Sequence, residues 1–179
     1  MLNLALVLED SARRYPDRDA IVFGTTRLSY AAVDRAANQV ANLLVDSGVQ
    51  PGDPVAISCA NVPFFPIVYY GILKAGGVVV PLNPQLKSAE VAYHLADSGA
   101  KVYFCFEGGT DLPVGRQGWA GFREVPSCEH FFLITADPPN WVPISGATLL
   151  RAALAGRSAA LLERRPLYPG LPAHPSFSD

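Results

Sequence analysis

Three cysteines are the most obvious candidates for nucleophilic or metal-binding chemistry in this chain of 179 residues. They are Cys59, Cys105 and Cys128. Their number is odd, and no two of them form the Cys-x-x-Cys pair that is typical of redox motifs and zinc sites. We therefore predict reduced thiols that mostly pack in a core, which is the usual role of isolated cysteines in a cytoplasmic protein.

The histidines and the overall charge argue against two further functions. His94, His130 and His174 have no metal-ligand spacing to one another or to the cysteines. Lysine and arginine number 14 against 16 acidic residues, which gives a net charge of −2 and a pI near 5.9. Because a nucleic-acid-binding surface needs a basic face, we predict neither a metal site nor a nucleic acid partner.

Gly115, Gly118 and Gly121 superficially match the spacing of a phosphate-binding loop. Such a loop needs a lysine with a following serine or threonine, and a helix whose N-terminal amides are free. No such residues follow these glycines, and no amphipathic helix with a free N-terminus is evident there. We therefore expect no phosphate loop here.

Lys74 is the charged residue most easily taken for a catalytic group, because it lies in a glycine-rich stretch, residues 70–84. The pattern indicates a helix that ends near Lys74 and turns at two glycines into the strand 78–81. We expect a structural lysine that faces the negative end of the helix dipole, with its stem on the surface. A run of three valines favours a strand covered on both faces.

The elements around this stretch alternate between helix and strand. Helices are predicted at 4–14, from a cap at Ser29 to Gly48, at 63–75 with Asn61 as N-cap, at 89–98 between Ser88 and Gly99, and at 147–155. A hairpin is predicted at 20–29, and strands at 55–59, 78–81, 102–106 and 131–134. Consecutive βαβ units of this kind predict an α/β fold with a parallel-type sheet and flanking helices.

Two segments leave room for other interpretations. Residues 62–82 carry a single charge over nearly the length of a membrane span, but prolines and glycines divide them into a helix and a strand. We expect no transmembrane span, although peripheral membrane contact stays possible. Residues 1–8 lack the basic start of a signal peptide, so we expect a cytoplasmic protein. From Pro166 onward prolines recur every third residue, which favours a disordered tail over a ligand for an aromatic groove.

Three segments in order carry a family resemblance. They are 28–38, LSYAAVDRAAN; 48–57, GVQPGDPVAI; and 71–84, GILKAGGVVVPLNP, followed by SGAKV at 98–102. Together they resemble the opening of the AMP-forming acyl-activating enzymes, with the fatty-acid–CoA ligases as the most similar branch. The resemblance is strong over 1–107 and weak over 108–160, before the proline-rich tail at 161–179. It implies a partial, incomplete N-terminal subdomain of the adenylate-forming fold.

This resemblance also implies a reaction. Members of the family use ATP and Mg²⁺ to convert a carboxylate into an acyl-adenylate and pyrophosphate, and coenzyme A then attacks the adenylate. Their phosphate loop, of the type TSGTTGxPK, does not occur in this chain, and the nearest string is SGAT at 145–148. Asp53 is followed by Pro54 where the family commonly has arginine or lysine, a departure that we expect to have only local effects. We therefore assign no catalytic, cofactor-binding or metal-binding residue, and expect this chain alone to bind none of the three cofactors.

Two hypotheses follow for the function. In the first, the chain is a truncated or frame-shifted fatty-acid–CoA ligase that is inactive alone. The excess of 11 arginines over 3 lysines favours this hypothesis, because GC-rich DNA translated out of frame gives such a composition. In the second, it is a non-catalytic partner that complements a separately encoded remainder of the ligase. An incomplete sheet would leave apolar surfaces of strands and helices uncovered, and the mean hydropathy of +0.20 is high for an independent domain. We therefore predict poor solubility or loose packing of the isolated chain.

Overall fold

The protein is represented by a computed structural model that describes residues 3–135, 148–154 and 157. Helices and strands alternate along most of this range. The helices are α1 (Ala5–Arg14), α2 (Tyr30–Asp46), α3 (Phe64–Lys74), α4 (Ser88–Ser98), α5 (Val114–Arg123) and α6 (Leu150–Leu154). The strands are β1 (Asp19–Phe23), β2 (Thr26–Ser29), β3 (Pro54–Ser58), β4 (Val78–Pro81), β5 (Val102–Phe106), β6 (His130–Ile134) and β7 (Thr148–Leu149).

The main sheet has five parallel strands in the order β4-β3-β5-β6-β7. In register, Ala56 of β3 lies between Val80 of β4 and Tyr103 of β5. The separate hairpin pairs β1 with β2 in antiparallel fashion around Gly24, whose φ of 57° suits a glycine in a tight turn. The prediction of a parallel α/β fold with flanking helices is therefore confirmed.

Alternation along the strands divides the core between the two faces of the sheet. Val55, Ile57 and Phe104 point to one face, where they meet the buried sides of α2 and α3. Tyr103 and Cys105 point to the other face, where they meet α4 and α5. Helices cover both faces of the sheet, so β3 and β5 are almost completely buried. This burial explains why both strands have mainly apolar sequences.

The valine strand β4 is less protected than its sequence predicted. We expected cover on both faces, and Val79 and Val80 do pack against the cores on the two opposite faces of the sheet. However, β4 lies at the edge of the sheet, and Val78 is 49% exposed. The edge position was not predicted because strand order depends on crossovers: the chain returns through α4 to pair β5 with the other side of β3. A run of β-branched residues therefore identifies a strand without giving its place in the sheet.

The helix boundaries show where local signals failed. No helix was recognised around Gly118 from the sequence, but α5 occupies Val114–Arg123. α3 begins at Phe64 after Pro63, and Asn61 is not its cap. Ser88 is the first residue of α4 rather than its N-cap, and the Glu90 carboxylate accepts the backbone N–H of Lys87 at 2.8 Å. Ser29 does cap α2 as predicted, by accepting the N–H of Ala32 at 3.3 Å.

The segment near 150 was predicted as one helix over 147–155. Within the described residues it begins as the short strand β7, and α6 follows from Leu150. Leu150 is 1% exposed in the core beside α2. The proline-rich tail lies outside the described residues, and so does His174. Among the helices that the structure describes, none has the length and apolar character needed to cross a bilayer.

Candidate functional site

The topology identifies one place where an α/β sheet of this kind would hold a ligand. After β3 the chain crosses through α3 on one face, and after the neighbouring strand β5 it crosses through α5 on the opposite face. Adjacent strands whose connections leave in opposite directions open a crevice at their carboxyl ends. Here that crevice lies between the residues after Ser58 and the residues after Phe106.

The turn after β5 has the shape but not the free donors of a phosphate site. Gly108 has a φ of +75°, and a Cβ there would overlap the carbonyl oxygen of Leu112. The N–H of Gly109 donates to Leu112 O at 3.0 Å, and the N–H of Gly115 donates to Glu107 O at 2.9 Å. Because these amides are already bonded, this turn does not form the cradle of free backbone N–H groups that phosphate requires.

Cys59, immediately after β3, is the thiol nearest to the crevice, and it is 8% exposed. Burial raises its pKa from 9.0 to about 12. Burial also raises the pKa of Cys105 and of Cys128 to about 12. Since the thiolate is the nucleophilic form, these three side chains are unreactive at neutral pH, in agreement with the packing role predicted for them.

Lys74 occupies a different environment from the expected one. Its side chain is 1% exposed, and its ammonium nitrogen lies 3.1 Å from Glu9 Oε1 and 2.9 Å from Asp34 Oδ1. The structural role that we predicted fits these contacts, but the surface position was wrong. α1, α2 and α3 each contribute one member of this triad, so the lysine joins three helices on one face of the sheet.

The three spaced glycines of α5 allow close packing of a helix. All three are buried on one side of α5. A Cβ at Gly118 would overlap the sulfur of Cys105, and a Cβ at Gly121 would lie 2.5 Å from the backbone oxygen of Ser88. These glycines therefore let α5 approach both β5 and α4, and their spacing of three reflects the helix period.

Two cavities lie away from the crevice, near the amino ends of β5 and β6. The larger has a volume of about 280 Å³ and is lined by residues that include Asp53, Lys101, Glu129 and His130. The smaller, about 150 Å³, lies beside Trp119 and Phe122. Within the described residues no three histidine, cysteine or acidic side chains are grouped to hold a metal ion.

Sequence reasoning missed Glu9 and Asp34 as the partners of Lys74. Both residues fell on the polar sides of predicted amphipathic helices, where exposure is the usual expectation. Their separation along the chain gives no local spacing signal. A single charge in an apolar helix, Lys74 in the sequence YYGILKAGG, was the one available hint that a partner lay elsewhere.

A comparison of the sequence with protein-family models identifies the family of this chain. The family model described as AMP-binding enzyme matches residues 8–138, which is more than half of the chain. The chain belongs to the AMP-binding enzyme family. The predicted resemblance is thereby confirmed, and the matched residues run from α1 to just beyond β6.

Individual relatives of this AMP-binding enzyme chain include both CoA ligases and peptide synthetases. It is 40% identical over 100 residues to the long-chain-fatty-acid–CoA ligase of Bacillus subtilis, a match that covers 56% of this chain and 18% of that ligase. It is 38% identical over 94 residues to a phosphinothricin tripeptide synthetase of Streptomyces viridochromogenes, which covers 52% of this chain and 9% of the synthetase. These relatives therefore do not by themselves decide between a fatty acid and a building block of a peptide as the substrate.

A solved structure extends the likeness to the three-dimensional fold. The fatty acyl CoA synthetase of Mycobacterium tuberculosis is 28% identical, with a TM-score of 0.72 over 91% of this chain and 30% of the synthetase. The chain thus spans well under half the length of the relatives it matches. This coverage confirms the prediction of an α/β unit that represents only part of the adenylate-forming fold.

Proposed function

We propose that this AMP-binding enzyme chain supplies the amino-terminal α/β part of a fatty-acid–CoA ligase and is inactive alone. The observation that carries the proposal is the agreement of two comparisons: the Bacillus subtilis fatty-acid–CoA ligase matches in sequence, and the Mycobacterium tuberculosis fatty acyl CoA synthetase matches in fold over 91% of this chain. The small share of each enzyme that is matched, 18% and 30%, supports inactivity of the chain alone. The reaction assigned to the complete ligase is ATP-dependent formation of a fatty acyl-adenylate, followed by transfer to coenzyme A.

The residues of this chain support a scaffolding role within that reaction. Polar groups at the crevice do not supply a phosphate cradle, because the amides of Gly109 and Gly115 are used within the turn. The thiols are buried, and the ammonium of Lys74 is held between two carboxylates. Neither these amides, nor the buried thiols, nor Lys74 therefore combines the chemistry and the access needed to stabilise charge on ATP, and we derive no step through ATP, Mg²⁺ or coenzyme A.

The test is pyrophosphate release from ATP in the presence of Mg²⁺ and a long-chain fatty acid. We expect the purified chain to release no more pyrophosphate than a blank without protein. An intact fatty-acid–CoA ligase assayed in parallel serves as the positive control. Fatty-acid-dependent release by the purified chain, abolished when the fatty acid is withheld, would overturn the proposal of inactivity.

A second candidate function is complementation of a separately encoded remainder of the ligase. It is favoured by one observation, the concentration of exposed apolar side chains on α1 and the β1–β2 hairpin. Co-expression with the product of the downstream reading frame should then restore ligation of a fatty acid that needs both ATP and coenzyme A. No gain over either piece alone would remove this candidate and leave the inactive fragment.

The downstream nucleotide sequence separates the two candidates further. A TSGTTG-type motif in another reading frame would support a frame-shifted ligase, whereas its absence would count against the frameshift. The same motif at the start of an independent, intact reading frame would support a split enzyme.

A further inference from the structure

The two cavities near the amino ends of β5 and β6 lie side by side, because Glu129 and His130 line both of them. The larger cavity extends from these residues to Ser47, in the loop after α2. The smaller extends to Trp119 of α5 and Thr148 of β7. Together they form a groove, here called the edge groove, that crosses the amino-terminal edge of the main sheet from the α2 side to the α5 side.

The two ends of the edge groove differ in their chemistry. At the α2 end, the carboxylates of Asp53 and Glu129 lie with a single lysine, Lys101, which gives an acidic balance. At the α5 end, the rings of Trp119 and Phe122 are stacked, with centroids 5.4 Å apart and planes inclined by 24°. Both rings are half-buried, so each keeps some exposed surface. Exposed aromatic surface in a groove is what binds polyproline II segments in proteins.

One segment of this chain has the sequence that such a groove binds. It is the tail that follows the last described residue, in which prolines recur every third residue. A polyproline II helix has three residues per turn, so these prolines would share one edge of the helix. Arg164 and Arg165 come directly before the first of them, Pro166. The cationic part and the proline part of the tail thus follow each other as the acidic and aromatic ends of the groove do.

The tail also starts beside the groove. The guanidinium of Arg157 pairs with the carboxylate of Asp46, the last residue of α2, and Gln39 Nε2 donates to Arg157 O at 3.3 Å. Asp46 immediately precedes Ser47, which lines the α2 end of the groove. The seven residues from there to Arg164 can span about 23 Å. Since β3 and β6 are two strand spacings apart, about 10 Å, this length is sufficient to reach the acidic end.

We propose that residues 164–169 bind in the edge groove of their own chain. The arginine pair contacts the exposed carboxylate of Glu129, and Pro166 and Pro169 lie on the ring of Trp119. The carbonyl groups of a polyproline II helix have no partner within the helix, so one of them accepts the indole N–H of the tryptophan. This inference is independent of the proposed function, because it involves neither ATP nor the remainder of a ligase.

The covalent connection favours the tail over a proline-rich segment of another protein. A short connection holds a ligand at an effective concentration in the millimolar range. A groove that binds the free segment with only millimolar affinity would therefore still be occupied by the tail in a large share of the molecules. A separate protein would have to reach the same concentration to compete.

The experiment measures the proximity of the tail to Trp119 in the full chain. A nitroxide label attached at Gly170→Cys broadens the nuclear magnetic resonance signals of groups near it. The three native thiols are buried, so the introduced thiol is the one that reacts. The signal observed is the indole N–H of Trp119 in the ¹⁵N-labelled chain. The chain has two tryptophans, and Trp141→Phe identifies which signal belongs to Trp119.

We expect the nitroxide to remove most of the intensity of the Trp119 signal, and reduction of the label to restore it. Glu129→Lys should restore the intensity with the label still active, because the lysine repels the arginine pair. Combining Glu129→Lys with Arg164→Glu and Arg165→Glu reverses both charges, so the broadening should return. Since residue 129 is exposed, these changes should leave the thermal midpoint unaltered.

The prolines provide a matched pair of variants. Pro166→Ala with Pro169→Ala should reduce the broadening, because alanine does not hold the polyproline II conformation. Pro172→Ala with Pro175→Ala changes the same number of prolines beyond the docked residues and should leave the broadening as it is. Equal effects of these two double variants would contradict the proposed register.

Three results would overturn the inference. The first is a Trp119 signal that the label does not broaden. The second is equal broadening with and without Glu129→Lys. The third is broadening in a mixture where the nitroxide and the ¹⁵N label are on different chains, which would show that the tail binds a second copy instead of its own chain.

Discussion

The ammonium nitrogen of Lys74 lies 2.9 Å from Asp34 Oδ1, and the lysine side chain is 1% exposed. Glu9 Oε1 approaches the same nitrogen at 3.1 Å. A lysine is rarely buried to this extent unless acidic partners compensate its charge. This cluster connects the amino-terminal helix α1 to α2 and α3, so we expect the stability of this helical layer to depend on it.

Replacement of Lys74 tests this dependence. Lys74→Met keeps the length of the side chain but removes the cation shared by Glu9 and Asp34. We expect a loss of about 2 to 4 kcal/mol in the free energy of unfolding, near the lower end for a broken buried pair because both carboxylates retain some contact with water. Urea denaturation followed by circular dichroism measures it.

The matched control for Lys74 is Lys101→Met, which changes an exposed lysine. It should alter the free energy of unfolding by no more than about 0.5 kcal/mol. Equal effects of the two substitutions would contradict a special role for the buried triad.

Gly121 provides a test of the close contact between α5 and α4. A Cβ at this position would lie 2.5 Å from Ser88 O and 2.8 Å from Val91 Cβ. Alanine normally favours a helix over glycine by about 1 kcal/mol, but overpacking costs about 1 to 3 kcal/mol, so we expect Gly121→Ala to be destabilising or at best neutral. Thermal unfolding measures the sign.

Gly109→Ala is the control for this test, because a Cβ at Gly109 has no atom within 4 Å. It should leave the thermal midpoint nearly unchanged. A clear rise in the midpoint of Gly121→Ala would show that α5 does not need this close approach.

Pro81 is expected to protect the edge strand β4 against self-association. The N–H of Leu82 donates to Ile57 O in β3, so by alternation the backbone of residue 81 faces away from the sheet. Pro81→Val would therefore add an outward-facing N–H to an edge strand that also carries the exposed Val78, and unprotected apolar edges pair with other chains. We expect the variant to form dimers or larger species at concentrations where the wild type does not. Light scattering on a size-exclusion column measures this, with Pro84→Val, beyond the strand, as the control. An unchanged elution profile for Pro81→Val would count against protection by the proline.

The thiols predict a pH dependence of stability. The pKa values of Cys59, Cys105 and Cys128 are raised from 9.0 to about 12 by burial. Well below pH 9 the thiols are protonated in both folded and unfolded chains and contribute no slope. Between pH 9 and 12 the unfolded chain loses thiol protons that the folded chain keeps, so stability should fall as pH rises.

Alkylation gives an independent check of the same burial. At pH 8 the folded chain should react with iodoacetamide far more slowly than the chain in denaturant, where all three thiols become accessible. Urea midpoints measured from pH 8 to 11, with a Cys59→Ala variant for comparison, should show a shallower decline for the variant. Rapid labelling of one thiol in the folded chain would contradict its raised pKa.

Local sequence patterns were sufficient to predict most of the fold. Ser29 capped α2, Gly24 marked the hairpin turn, and the alternation of β3, α3, β4, α4 and β5 predicted parallel strands. These signals depend on neighbouring residues and on the handedness of crossovers, which are properties of the chain itself. The family was recognisable from the same stretches because their glycines and prolines shape turns within βαβ units.

The helix α5 and the triad around Lys74 depended on the tertiary structure. Glycine weakens a helix in isolation, so α5 carried no convincing local signal, and the surroundings of Gly118 and Gly121 stabilise it through packing. Glu9 and Asp34 meet Lys74 only because three helices converge on one face of the sheet. The stretch from 70 to 84 thus determined by itself a helix, a turn and a strand. The burial of Lys74 and the position of β4 at the edge of the sheet depended on the tertiary structure, because burial and strand order arise from contacts between segments that are distant in the sequence.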